Sequence, residues 1–133
     1  MKFSLETAQG IMIHSVQPGE VVLKLPTGNP ATPYRKECYT TSLLLGGSDQ
    51  LQDWPVNHLN ELNLGHLEPV WNTMPDIVLL GTGQKLIFPT IEVLQGFGTR
   101  GIGFEVMDTA AACRTYNVLL AEGRDVMALL IID

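Results

Sequence analysis

Three short apolar runs, Ile77–Leu80, Ile102–Met107 and Val126–Ile132, are separated by two stretches with helical spacing. This alternation constrains the fold more than any other feature of the chain. Ile77–Leu80 and Val126–Ile132 are consistent with strands buried on both faces, whereas Ile102–Met107 alternates with Glu105 and reads simply as a strand. Strands alternating with helices predict an α/β domain whose crossovers, where parallel, are right-handed. The punctuation agrees. Gly81-Thr82-Gly83 stops the first run. Pro89 suits the opening of a helix whose apolar face is Ile91, Val93 and Leu94, ending near Gly96–Gly98. Asp108 is a good N-cap for a helix over Thr109–Glu122, because its carboxylate can accept from free N–H groups of the first turn. Ala112, Tyr116 and Leu119 share one face of that helix, and Gly123 sits where a glycine ends it.

The first half reads differently. Gln17-Pro18-Gly19-Glu20 is a turn between two apolar runs, so residues 11–25 predict a β-hairpin. Phe3 and Leu5 suggest a further short strand. Pro26–Pro33 reads as an exposed loop. Glu37–Leu45 predicts one strand ended by Gly46-Gly47-Ser48-Asp49, and residues 49–58 read as irregular. Leu59, Leu62, Leu64, Leu67 and Val70 recur at roughly helical spacing, but Gly65 and Pro69 interrupt them, giving one short or broken helix. Leu86–Phe88 is a candidate edge strand. Antiparallel additions beside crossovers predict a mixed sheet.

The bulk numbers exclude several classes. A chain of 133 residues with 45% hydrophobic content suits one domain over residues 1–133 with its own core. Net charge is −6, with 14 acidic and 8 basic residues and no Lys/Arg cluster. Phosphate-backbone binding needs convergent cations, so nucleic acid is a poor partner, and an anionic membrane surface is poor for the same reason. The longest apolar run is far short of the ~20 residues that cross a bilayer. The start of the chain, MKFSLETAQG, has neither the apolar core of an export signal nor an Arg-rich presequence, so a cytoplasmic protein is expected. Cys38 and Cys113 belong to no C-x-x-C motif and read as two separate buried thiols.

No complete catalytic or metal-binding motif is present. Gly96-Phe97-Gly98-Thr99-Arg100-Gly101 matches G-x-G-x-x-G by letter. However, a helix precedes it and a strand follows, the reverse of the order that puts a pyrophosphate on a helix N-terminus. Gly81-Thr82-Gly83-Gln84-Lys85 is better placed, because ligands of open α/β sheets bind beyond the carboxyl ends of strands. Its N–H groups could hold an anion with help from Lys85, or the segment is a plain turn. Asp108, Thr109, Arg114 and Asn117 form a second polar group. Arg114 and Asn117 are three apart on the helix and share a face, either recognising a carboxylate or amide or simply forming a solvated flank. His14, His58 and His66 lack metal-ligand spacing. Ser48 lacks a nucleophile elbow, and Cys113 reads as packed between alanines. Trp54, beside Pro55, is either a core anchor or a partly exposed interaction aromatic.

Three segments in order resemble the Mth-domain family: Pro75–Thr82 with Gly83, Gly101–Thr109, and Ala112–Leu119 with Glu122-Gly123-Arg124. The resemblance implies a three-layer α/β fold around a mixed β-sheet, here with an added N-terminal β-hairpin. It implies no established enzymatic activity and supplies no catalytic residue, metal or cofactor. For the family's mitochondrial branch it implies a role in assembling membrane-complex subunits through protein contacts.

Two functional expectations follow. The first is a non-enzymatic binding or assembly protein, working through a protein partner or as a homo-oligomer, with an apolar surface that includes Trp54. The second is a small-molecule-binding domain, possibly an enzyme, with a cleft bordered by Gly81, Thr82, Gly83, Asp108, Arg114 and Asn117.

Overall fold

Every strand that the sequence marks as doubly buried lies inside one sheet. The computed structural model describes residues 10–46 and 50–133. In chain order its elements begin with strands β1 (Met12–Gln17), β2 (Glu20–Pro26), β3 (Tyr34–Tyr39), β4 (Leu43–Gly46) and β5 (Gln50–Asp53). Helix α1 (Glu68–Thr73), strand β6 (Ile77–Gly81), helix α2 (Ile91–Arg100), strand β7 (Gly103–Met107), helix α3 (Thr109–Ala121) and strand β8 (Val126–Leu130) follow. Strands β1, β2 and β3 form an antiparallel sheet in that order, extending the expected hairpin by one strand. The second sheet has the order β5-β4-β8-β6-β7. In it β6 runs parallel to β7 and β8, while β4 runs antiparallel to β5 and β8. The sheet is therefore mixed, as expected.

Alternation along these strands divides the core in two. Leu43, Leu45, Leu79, Ala128 and Leu130 pack with Ala112, Cys113, Tyr116 and Leu120 of α3, and with Ile13, Val21 and Leu23 of the smaller sheet. Leu44, Val78, Leu80, Met127 and Leu129 face the other way, onto Val70 of α1 and Val93 and Phe97 of α2. Both faces of the central sheet are covered, which is why its inner strands β4, β8 and β6 are continuously apolar, while the edge strands β5 and β7 carry polar residues. The step from β6 out to β7 and the return to β8 run in opposite directions across the sheet. Crossovers of one hand then place α2 and α3 on opposite faces. The result is the three-layer arrangement.

Several sequence expectations need correction. Glu37–Leu45 is two strands in two sheets: Tyr39 pairs with Val21, whereas Leu43 pairs with Asp53 and Leu130. The chain crosses between sheets over Thr40–Ser42, and the Ser42 hydroxyl accepts from the Ile132 N–H at 3.1 Å. Gln50–Asp53, expected to be irregular, forms the edge strand β5. The expected turn over Gly46–Asp49 and the strand at Phe3 and Leu5 fall largely or wholly outside the described residues. Helix α2 does not stop near Gly96–Gly98. It continues to Arg100 and ends at Gly101, whose φ is +68°. The Leu59–Val70 region is broken as expected, into two 3-10 turns (Leu59–Glu61 and Leu64–Leu67) and α1, with Pro69 in the first turn of that helix. Leu86–Phe88, expected as an edge strand, forms no strand. Cys113 is buried, but Cys38 is exposed, and both thiols are free.

Candidate functional site

The N–H groups of Thr82, Gly83 and Gln84 are all bonded within the chain. Thr82 N–H donates to Met107 O at 2.9 Å. Gly83 N–H donates to the Thr109 hydroxyl at 2.8 Å, and that hydroxyl donates onward to Ile131 O at 2.7 Å. Gln84 N–H donates to a carboxylate oxygen of Asp133 at 3.1 Å. The expectation of an anion held by this turn and Lys85 is therefore corrected: the chain's own acceptors already fill the turn. Its glycines have steric reasons. Gly83 has a φ of +100°, a conformation that side chains disfavour. At Gly81, an added Cβ would lie 2.9 Å from both Cα and Oγ1 of Thr109. Gly81 thus sets how closely the first turn of α3 approaches β6.

A cavity of about 380 Å³ opens beside this turn. Its walls are Gly83 and Gln84, the start of α3 at Asp108–Ala110, the β1–β2 turn at Val16–Gly19, and Ile131–Asp133. Asp108 caps α3, accepting from Ala111 N–H at 2.8 Å. The wall carries two carboxylates, of Asp108 and Asp133, and no Lys or Arg side chain. Its electrostatics favour a neutral or cationic guest.

The other expected residues lie elsewhere. Gly81 and Thr82 sit behind the cavity wall and shape it. Arg114 is exposed on α3 and is not part of the wall. Asn117 is used structurally: its Oδ1 accepts from Ile13 N–H at 2.9 Å and its Nδ2 donates to Ile13 O at 2.7 Å. Trp54 is only 2% exposed, and its indole N–H donates to His66 O at 3.1 Å. It anchors the second core cluster rather than offering an interaction surface.

The exposed apolar surface lies where sequence reasoning placed an edge strand. Leu86, Ile87, Phe88, Ile91 and Leu94 are 52%, 49%, 68%, 68% and 40% exposed. A groove of about 230 Å³ runs beside them, lined by Leu59, Leu62, Ile87, Phe88 and Pro89. The available signal was an apolar tripeptide between two turns with no strand left to pair with it. Contiguous exposed apolar area on this scale marks interaction sites. Among the described residues no helix is long and apolar enough to cross a membrane, and no three His, Cys, Asp or Glu side chains gather as a metal site.

The three-layer fold and its glycine-shaped strand end define an Mth-type α/β protein. The family described as "Protein of unknown function (DUF498/DUF598)" matches residues 15–131, and the chain belongs to it. The "13 kDa major membrane protein" of Francisella tularensis is 32% identical over 95 residues, which cover 70% of this chain and 76% of that protein. The human "NADH dehydrogenase [ubiquinone] 1 alpha subcomplex assembly factor 3" is 38% identical over 80 residues, covering 59% of this chain and 44% of that protein. The match thus spans less than half the length of the assembly factor. A solved Xanthomonas campestris structure is similar with a TM-score of 0.75 and 33% identity, covering 95% of this chain and 87% of that one. A Bordetella pertussis structure described as an Mth938-like domain shares the fold at a TM-score of 0.71 and 21% identity, covering 100% of this chain and 90% of that one.

Proposed function

We propose that this protein is a non-enzymatic binding protein that holds partner proteins during assembly. The observation that carries this reading is the uncovered apolar segment Leu86–Leu94 beside its groove. The name of the related assembly factor supports it. We assign the protein to the cytoplasm, a compartment that keeps an exposed thiol such as Cys38 reduced. A photo-crosslinking amino acid at position 88 tests the docking reading in living host cells. Discrete adducts with a different protein are expected from position 88, lost when Ile87 and Ile91 are changed to Asp, and absent from position 114. Failure to form any such adduct from positions 87, 88 and 91 would overturn the proposal.

A second reading is favoured by the cavity beside Gly83 and Asp108. Its volume of about 380 Å³ falls in the range of small-molecule sites. In this reading the protein binds a neutral or cationic small molecule there, and binding rather than catalysis is the activity. Native mass spectrometry of protein purified from its own host should then show a bound mass that is lost in Ala110→Trp. Purified protein with no added mass would count against it.

A further inference from the structure

The apolar face around Phe88 carries features that match it to itself. Leu86-Ile87-Phe88-Pro89-Thr90-Ile91 contains no charge, and it is bracketed by Lys85 on one side and Glu92 on the other. Both bracketing residues are exposed. Along the sequence the two charges stand symmetrically about Phe88 and Pro89, so a two-fold axis passing near these residues would set each Lys85 toward the Glu92 of the other copy, with two opposite-charge pairs flanking one apolar contact. Such isologous contacts require that knob and hole share one surface. Here they do: Phe88 projects as the most exposed aromatic side chain of the segment, and the groove lined by Leu59 and Leu62 lies beside it.

The available area is adequate for pairing. At roughly 200 Å² for each large apolar residue, the five exposed side chains leave on the order of 500 Å² uncovered per copy. Pairing two such faces removes on the order of 1,000 Å² from water, the lower limit for a specific interface. A contact of this size, between chains that each carry a net charge of −6, is weak and exchangeable.

We infer that a second copy of this chain covers the Leu86–Leu94 face about a two-fold axis when no other partner is present, with Lys85 of each copy against Glu92 of the other. The inference rests on reading this face as a docking surface. It deepens that reading by naming what occupies the face at rest.

Sedimentation velocity on the full chain, from roughly 5 to 500 μM, tests it at concentrations where an interface of minimal area assembles. A reversible monomer–dimer equilibrium is expected, and Phe88→Asp should raise its dissociation constant at least about tenfold. Lys85→Glu and Glu92→Lys should each weaken the dimer about tenfold, because each turns two attractive pairs into two repulsive ones. The double reversal should return it to within about threefold of the original. A monomer at every concentration, or a double reversal no better than the single changes, overturns the inference. The failure modes separate cleanly. A monomer that still crosslinks a different protein through position 88 removes the self-pairing and leaves the docking reading intact. A dimer with full charge rescue but no such adduct does the opposite.

Discussion

The side-chain amide of Asn117 pairs with the backbone of Ile13 as a neighbouring strand would: it accepts from the N–H at 2.9 Å and donates to the C=O at 2.7 Å. Tyr116, the preceding residue on α3, donates its hydroxyl proton to Ile11 O at 2.8 Å. The register between β1 and β2 shifts between Ile13 and Ser15. Helix α3 therefore supplies, at the irregular part of β1, bonds that another strand would otherwise make. Asn117→Ala should cost about 2–3 kcal/mol, since both Ile13 groups lose their partners in a half-buried setting. Asn117→Asp, which retains an acceptor and loses the donor, should fall between. Urea denaturation measures the cost, and amide exchange at Ile13 should accelerate in the same order.

Two glycines separate steric need from mere tolerance. Gly81→Ala drives a Cβ to 2.9 Å from the Thr109 backbone, so α3 must shift, at a cost of about 1–3 kcal/mol. Gly98 lies inside α2 with nothing within 4 Å of an added Cβ. Gly98→Ala should therefore stabilise by about 0.5–1 kcal/mol through helix propensity. Thermal melts of the two variants should move in opposite directions.

Thr109→Val removes the hydroxyl that receives Gly83 N–H and donates to Ile131 O, leaving two buried groups unpaired. A loss of about 2–4 kcal/mol is expected, with Thr109→Ser recovering most of it. If Thr109→Val leaves the urea midpoint unchanged, the turn does not depend on this bridge.

Alkaline pH should destabilise the fold. Burial pushes the Cys113 thiol up to about 12, against a small opposing effect of Arg114. Partial burial, then the hydrogen bond to Glu37, push Tyr39 up to about 12 as well, and burial raises Tyr116. Each group is neutral when protonated and holds its proton more tightly in the folded state. Their contribution is complete below the unfolded values and is lost as pH rises from about 9 towards 12. The urea midpoint should fall through that window. The decline just above pH 9 should be shallower in Cys113→Ala, because the thiol titrates first in the unfolded chain. In native protein at pH 8, a thiol reagent should label Cys38 and leave Cys113 unlabelled.

Much of the second half was legible because local and tertiary signals agree there. The Asp108 cap, the Gly123 stop and the three apolar runs all mark elements that form as read. The errors have a common origin: a strand's identity depends on its partners. Tyr39 and Leu43 have similar local preferences but pair in different sheets, and Gln50–Asp53 becomes a strand because β4 lies beside it. Gly96 remains helical because α2 packs tightly there, with Trp71 and Leu64 side chains about 3.4 Å from where its Cβ would be. Gly83 and Asp108 share a cavity wall, and their positions were legible because strand ends and helix starts are marked in the sequence. Arg114 and Asn117 were misplaced because a shared helix face does not reveal what that face meets. The β1 strand that Asn117 holds lies 104 residues away.

The position of β8 also bears on how the chain is made. Among the described residues, strand β8 is the last to leave the ribosome, yet it lies at the centre of the larger sheet, joining β4 on one side to β6 on the other. Until Val126–Leu130 emerges, Leu43–Gly46 and Ile77–Gly81 each present an open, apolar edge to water. Such non-local pairing is slow and exposes a nascent chain to aggregation. The emergence of β8, rather than the order of local element formation, sets the moment at which this sheet closes.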